Sequence, residues 1–262
     1  MSMSYAMLNG WLSLFLVLTG PFLGSFISAS AQSWPDRSNM ALSSRSHCAA
    51  CGRQLTLIDL LPLLSFLWLR GKCRTCKAPI AGQHFVAELA STFVALSAVI
   101  IFDDWLMLAS ALFGYVLLFI ALVDYRTRLI PDGASFSLIL SGPAVLYALY
   151  GPAGLKSAIL GAVFGYGIFW LVAFTYKQVR GRDGLGMGDA KLLAGGGAWM
   201  GAFALPWIIL LASSSALVLL LISSKGKTLH RETELPFGPA LALAIYGLWL
   251  WVGAHSPGFI LL

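Results

Sequence analysis

The stretch that decides the fold runs from Trp105 to Val123, uncharged and almost wholly apolar, and is followed at once by Asp124-Tyr125-Arg126-Thr127-Arg128-Leu129-Ile130-Pro131-Asp132. About 20 such residues in a helix cross the hydrocarbon core of a bilayer, so Asp124 falls at the end of a span. A second acid has the same setting: Asp189, in Gly186-Met187-Gly188-Asp189-Ala190-Lys191, stands just ahead of another apolar run. A carboxylate at the centre of a membrane helix costs about 2.5–3.5 kcal/mol on insertion scales, so acids in such runs are rare and mark function. Two of them at helix ends point to a carboxylate pair that does chemistry beside the bilayer.

Comparable runs extend outward on both sides: Leu8 to Ala31, Phe85 to Phe102, Ala134 to Tyr150, Leu155 to Tyr176, Pro206 to Ser223 and Phe237 to Ala254, with a weaker, glycine-rich run from Ala190 to Leu205. Hydrophobic residues make up 58% of the chain and charged ones 11%, against about 25% charged in a soluble domain. The expectation is an all-α polytopic membrane protein with about eight transmembrane helices. No base precedes the first run, and its apolar stretch exceeds the core of a signal peptide, so it reads as a span.

The bases orient the spans. Arg37, Arg45, Arg53, Arg70, Lys72, Arg74 and Lys77 lie between runs one and two, and Arg126 and Arg128 follow run three. Lys177, Arg180, Arg182 and Lys191 precede the glycine-rich run, and Lys225, Lys227 and Arg231 precede the last. With the glycine-rich run counted as a short sixth span and the N-terminus outside, every base except Lys156 falls on the cytoplasmic side, as the positive-inside rule requires. The net charge of +6 is scattered over several loops. It reads as that bias, together with contact to anionic lipid headgroups, and no nucleic-acid surface is expected.

All four cysteines lie in the first basic loop, as Cys48-Ala-Ala-Cys51 and Cys73-Arg-Thr-Cys76. Two such pairs can complete a tetrahedral four-thiolate zinc shell. The competing reading is two disulfides; a cytoplasmic loop keeps thiols reduced, which favours zinc. A closed four-sulfur shell has no open position, so the zinc would be structural. His47 adjoins the first pair as a surface histidine. Between the pairs, Leu55 to Leu69 is apolar except for Thr56, Asp59, Pro62 and Ser65. It cannot cross the membrane, because the cysteine pairs would then lie on opposite sides. It reads as an element on the bilayer surface or packed on the spans, serving either as a docking surface for a membrane-bound substrate or as plain packing.

On this topology Asp124 closes the third span and Asp189 opens the sixth, both at the cytoplasmic face. Two neighbouring carboxylates cannot both ionise cheaply and so share a proton. One then acts as base toward a water while the other protonates the scissile amide. Each acid also has a simpler reading: Asp124 as partner of Arg126 or Arg128, and Asp189 as the N-cap of its helix. Lys191, two residues beyond Asp189, is placed to tune it. Asp132 reads as a turn or cap residue, Asp183 as solvated, and His84, His230 and His255 as interfacial. Glu88, just inside the second span, is either paired with a base or part of a second site.

These residues together resemble the type IV prepilin peptidases, membrane aspartic proteases of the Gly-x-Gly-Asp type. The resemblance rests on Gly-Met-Gly-Asp-Ala-Lys-Leu around Asp189, on Asp124 with Leu-Ile-Pro-Asp after it, and on Leu235-Pro236-Phe237-Gly238-Pro239. Upstream, Gly24-Ser25-Phe26, the paired cysteines, Pro62-Leu63-Leu64-Ser65, Leu69-Arg70-Gly71 and Glu88-Leu89 match the full-length bacterial form. The resemblance implies cleavage of the basic leader of prepilins or pseudopilins at the cytoplasmic face of the bacterial inner membrane. Asp124 and Asp189 would be the catalytic pair. It further implies N-methylation of the new amino terminus with S-adenosylmethionine, a step to which the position of Glu88 is linked. The chain departs from the family pattern at Ser28 and Ser33, where an asparagine and an arginine are usual, and at Gln83-His84-Phe85, where Arg-Tyr-Pro is usual. These departures bear on methyl transfer and leave open a peptidase without that activity. Rival classes are a noncatalytic assembly factor and a cation-coupled transporter. The expected organisation is a first transmembrane helix (1–31), a cytoplasmic four-cysteine, zinc-ribbon-like domain (32–84) and a membrane peptidase domain (85–262).

Overall fold

A computed structural model describes residues 2–34, 47–48, 50–56, 58–181, 186–224 and 236–255. Pro35, Arg37, Arg45, Arg182, Asp183, Lys225, Lys227, His230, Arg231 and Leu235 lie outside them. The chain is helical, in the order α1 (Ser2–Ser33), α2 (Leu64–Trp68), α3 (Gly82–Ile101), α4 (Asp104–Thr127), α5 (Asp132–Arg180), α6 (Met187–Met200), a 3-10 turn (Ala202–Ala204), α7 (Leu205–Ser224) and α8 (Gly238–His255). It divides into two compact units, Met1–Phe119 and Ile120–Leu262.

Among the described residues six helices are long and apolar enough to cross a membrane: α1, α3, α4, α5, α7 and α8. The 49 residues of α5 would span about 73 Å as one rod at 1.5 Å per residue, more than twice the core of a bilayer. They form two helices, because Gly151 takes φ 62°, ψ −144°, a conformation open to glycine, and Pro152 cannot continue the helix. Gly154 packs against the Leu146 carbonyl. Residues eight apart in a straight helix stand about 12 Å apart, so the chain reverses here.

Helix α6 is the short sixth element, with 14 residues. Lys191 is half-buried, but every other residue from Ala190 to Met200 is buried. α6 is parallel to the first half of α5: Gly195 packs on Leu138, Gly142 on Ala198, and Lys191 pairs with Asp132. It is antiparallel to the second half, where Gly161 meets Gly197 and Gly165 meets Leu193. This is the direction a crossing between α5 and α7 requires. Its weak hydropathy has a physical cause: α6 faces neighbouring helices instead of lipid, and small residues let backbones approach closely. The Trp199 indole N–H donates to the Leu138 carbonyl at 3.1 Å, and its ring meets Trp249 edge-on at 5.3 Å.

The Gly161–Gly197 crossing is tight enough that a Cβ on either would strike the other's carbonyl oxygen. Gly197→Val is therefore expected to lower stability in detergent by about 3 kcal/mol, the upper range of overpacking costs. Gly167→Val, in the same bundle but with nothing within 4 Å of its would-be Cβ, is expected to unfold like the parent. Thermal unfolding of both variants checks this.

In the first unit, α1 lies on α3 through Gly20 and Gly24, against Ser91, Ala95 and the backbone of Ala87 and Glu88. Among the described non-glycine residues before α3, Leu63, Arg70 and Lys77 have positive φ, and Leu63, with its negative ψ, lies outside the ordinary left-handed region. Leu63 has φ 60°, ψ −51°, and the Leu64 N–H reaches back to the Pro62 carbonyl at 2.6 Å. This is a γ-turn with positive φ, uncommon for a branched side chain; it costs roughly 1–3 kcal/mol, which its surroundings must offset.

Candidate active site and metal centre

Asp124 lies in the last turn of α4. The Thr127 hydroxyl folds back on the Val123 carbonyl, and the Arg128 N–H closes the end by donating to the Asp124 carbonyl at 2.8 Å. Arg128 then leaves the helix with φ 55°, and Pro131 sets the start of α5. The Asp124 side chain is only 5% exposed. Its Oδ2 accepts the backbone N–H of Gly238 at 3.0 Å. That amide is one of the free donors at the start of α8, so Asp124 caps α8 from 114 positions away. A Cβ at Gly238 would stand 2.6 Å from Oδ2 and 2.7 Å from Cγ, so only glycine fits.

Asp189 is the third residue of α6. The cap position belongs to Gly186, without a side-chain cap, and the Asp189 N–H donates to the Gly186 carbonyl at 3.1 Å. The N-cap reading of Asp189 is thus set aside, and its carboxylate is left for another role. Gly188, beside Asp189, packs on Ile130, six residues beyond Asp124, and Lys191 pairs with Asp132, so the start of α6 and the end of α4 lie at the same end of the second unit, where the charge of Asp124 reaches Asp189. Each lies at a helix end and not at mid-helix, unlike the midplane acids of carriers. The starts of α6 and α8 each bring a partial positive charge of about +0.5, which suits a pair holding one net negative charge.

The reading of Asp124 as an arginine partner survives in part, because the Arg128 charge also acts on it. Lys191 does not turn to Asp189. Its Nζ pairs with Asp132 Oδ1 at 2.6 Å and sits 5.9 Å from the Phe136 ring centre. The sequence did not mark Gly238 as a functional residue. A backbone donor leaves no trace in residue type beyond the glycine itself.

The four cysteines gather in the first unit. Their sulfurs all lie within 4.8 Å of one another, with Cys48 and Cys76 Sγ 3.8 Å apart, and all four are free thiols. Zinc–sulfur bonds of about 2.3 Å in a tetrahedron put sulfurs about 3.8 Å apart, so this set can hold that ion. The two knuckles repeat one backbone design. Cys48 N–H donates to the Arg53 carbonyl and Cys73 N–H to the Ala78 carbonyl, and Gly52 and Lys77, each just after its pair, have φ 67° and 59°.

Backbone N–H groups of Cys51 and Ala50 turn to Cys48 and push its thiol down. Those of Cys76 and Thr75 push Cys73 down to about 6. At Cys76 the Ala78 N–H favours the thiolate, but burial and the three neighbouring sulfurs outweigh it and push the thiol up to about 11. Four thiolates this close need a cation between them.

Asp59 ties the insert to both knuckles. It pairs with Arg53 and with Arg74, the latter at 3.1 Å, and accepts the Thr56 N–H and hydroxyl. Burial opposes its charge, but these donors and cations prevail and hold the carboxyl below its ordinary range. Within the insert, Ile58, Leu64, Leu67 and Trp68 are exposed while Phe66 stacks on Phe85 at 4.7 Å. Packing on the span and an open apolar face therefore coexist.

Glu88 is 7% exposed, and its Oε2 accepts the Leu63 N–H at 2.8 Å. His84, one turn earlier on α3, lies 3.0 Å through Nδ1 from Ser28 Oγ and 2.8 Å through Nε2 from Gln32 Nε2. With the Gln32 amide as donor, the His84 Nδ1–H donates to Ser28. Two positions at which the chain leaves the family pattern, Ser28 and His84, thus bond to each other.

Comparison with known proteins gives the family of the chain. The Bacterial Peptidase A24 N-terminal domain matches residues 18–102, and the Type IV leader peptidase family matches residues 111–221. A prepilin leader peptidase/N-methyltransferase of Aeromonas hydrophila is 36% identical over 209 residues, covering 79% of this chain and 71% of the relative. One of Burkholderia pseudomallei (strain 1026b) is 37% identical over 213 residues, covering 80% and 68%. One of Dickeya chrysanthemi is 36% identical over 201 residues, covering 76% and 70%. No solved structure matches significantly. On identity and coverage together, the chain belongs to the type IV leader peptidase family.

Proposed function

We propose that this chain is a prepilin leader peptidase and N-methyltransferase of the bacterial inner membrane, with its N-terminus outside and its catalytic face in the cytoplasm. The reading is supported by the placement of Asp124 at the end of α4 and Asp189 at the start of α6, ends brought together by Gly188 on Ile130 and Lys191 on Asp132, in a chain of this family. A backbone N–H favours the ionised form of the carboxylate it contacts, so Asp124, which accepts the Gly238 N–H, is the base. It takes a proton from a water whose oxygen attacks the scissile carbonyl. Asp189 holds the proton of the pair and passes it to the amide as the bond breaks. The substrate is a prepilin or pseudopilin whose apolar helix stays in lipid while its basic flank reaches the pair.

The four cysteines hold a structural zinc ion within the 32–84 domain, between the first helix (1–31) and the peptidase part (85–262). Cys73→Ser is expected to reduce bound zinc from about one ion per chain to a small fraction, read by elemental analysis of the purified protein. S-adenosylmethionine supplies the methyl group when bound, and Glu88 serves that step. The test is mass spectrometry of a prepilin's amino terminus after incubation with the purified chain in lipid, with and without S-adenosylmethionine. A product cut after the leader and one methyl group heavier is expected. An uncut substrate would overturn the peptidase reading, and a cut but unmethylated one would leave a peptidase alone.

A further inference from the structure

Glu88 is a buried carboxylate that the peptidase chemistry does not use, and its surroundings say how it works. Its backbone is held where α1 crosses α3: a Cβ on Gly24 would stand 2.7 Å from Glu88 Cα. Its Oε2 is committed to the N–H of Leu63, the central residue of the γ-turn that opens α2. A turn of this kind persists only where its neighbours over-determine it. Here two contacts do so, the Glu88 acceptor and the stacking of Phe66 on Phe85, one turn earlier on α3. From this turn the chain leads to both knuckles. Asp59, four residues before Leu63, holds Arg53 and Arg74, and Phe66, three after it, lies against Gly71, next to the Lys72–Pro79 bridge.

We infer that Glu88 is a positioning residue that clamps the four-cysteine insert onto α3 by accepting the Leu63 N–H, and that it serves methyl transfer through this clamp and not as a proton carrier. The inference rests on the methyl-transfer reading for its functional half only. It explains why a carboxylate that the family links to methylation sits in the same unit as the cysteine module: the acid and the metal-binding insert form one folded body. An amide oxygen at position 88 can also accept an N–H, so the role needs an acceptor and not a charge.

The test compares Glu88→Ala, Glu88→Gln and the double variant Leu63→Gly/Glu88→Ala, all as full chains in lipid nanodiscs. Two quantities are read: hydrogen exchange of the Leu63 to Leu67 amides, and transfer of a labelled methyl group to a cleaved prepilin. Glu88→Ala is expected to speed exchange about tenfold or more, the effect of losing a buried acceptor, and to reduce methyl transfer in parallel. Glu88→Gln should stay within about threefold of the parent in both, since its amide keeps the bond. Glycine adopts φ near 60° without strain, so Leu63→Gly should recover part of the α2 protection that Glu88→Ala loses but not the methyl transfer, because the contact to α3 stays broken. Unchanged exchange in Glu88→Ala would overturn the clamp. So would a Glu88→Gln variant that keeps Leu63 protected yet loses methyl transfer as fully as Glu88→Ala, because that result gives Glu88 a chemical role. A parent chain that cuts but never methylates would remove the methyl-transfer reading instead, and the order of exchange rates alone would then decide the clamp.

Discussion

Asp124→Asn and Asp189→Asn are each expected to stop leader cleavage, with the protein present at its normal level in the membrane. General acid–base groups contribute about 10²–10⁴-fold each, and a shared-proton pair fails as a unit, so kcat should fall by about a thousandfold or more in either variant. KM should move little, because the reacting oxygens contribute little to holding the apolar helix of the substrate. Asparagine keeps the size of the side chain, and at position 124 its oxygen can still accept the Gly238 N–H, so α8 remains capped. A fall in kcat at unchanged protein level and helix content supports the pair. Cleavage within a few-fold of the parent in either variant would remove that aspartate from the chemistry.

Gly238→Ala is expected to have the next largest effect, although no side chain is lost. The added Cβ would stand 2.6 Å from Asp124 Oδ2 and 3.0 Å from Asp124 Cβ. The carboxylate must then rotate away, or the start of α8 must move and break the 3.0 Å N–H bond. Either shift displaces the base by a few tenths of an ångström to an ångström, and misplacement on that scale costs about a hundredfold in rate. Gly247→Ala, in the same helix with nothing within 4 Å of its would-be Cβ, serves as the control and should cleave like the parent. Equal rates for the two variants would show that the Gly238 contact does not position Asp124.

Much of this architecture is legible in the residues. Apolar runs mark the long helices because lipid imposes one requirement, length without charge. The basic loops call for a crossing at Ala190 to Leu205 by parity; the structure places the 14-residue α6 over most of that run, antiparallel to the second half of α5, and α6 is not among the six described helices long and apolar enough to cross a membrane. The same run was hard to see by composition for the reason it matters: α6 is enclosed by protein, and Gly195, Gly196 and Gly197 serve close packing there. The cysteine spacing foretells its cluster because two Cys-x-x-Cys knuckles have one natural meeting point. The Asp124 bond to Gly238 is different. It joins residues 114 positions apart through a backbone amide, whose one mark in the sequence is the glycine of Leu235-Pro236-Phe237-Gly238-Pro239, with nothing in it to name Asp124 as the partner. The Leu63 turn is hidden for a related reason. A leucine is not expected at φ 60°, and only the buried Glu88 opposite makes that conformation intelligible.

The most direct test of the central claim is an experimental map of the chain in lipid, bound to a leader peptide whose scissile amide is replaced by a hydroxyl-bearing isostere. The account predicts the hydroxyl within hydrogen-bonding distance, about 2.5–3.0 Å, of a carboxylate oxygen of Asp124 and of one of Asp189, with Gly238 N–H still on Asp124. A map with the isostere bound away from these residues, or with the two carboxylates too far apart for one hydroxyl to reach both, would contradict it.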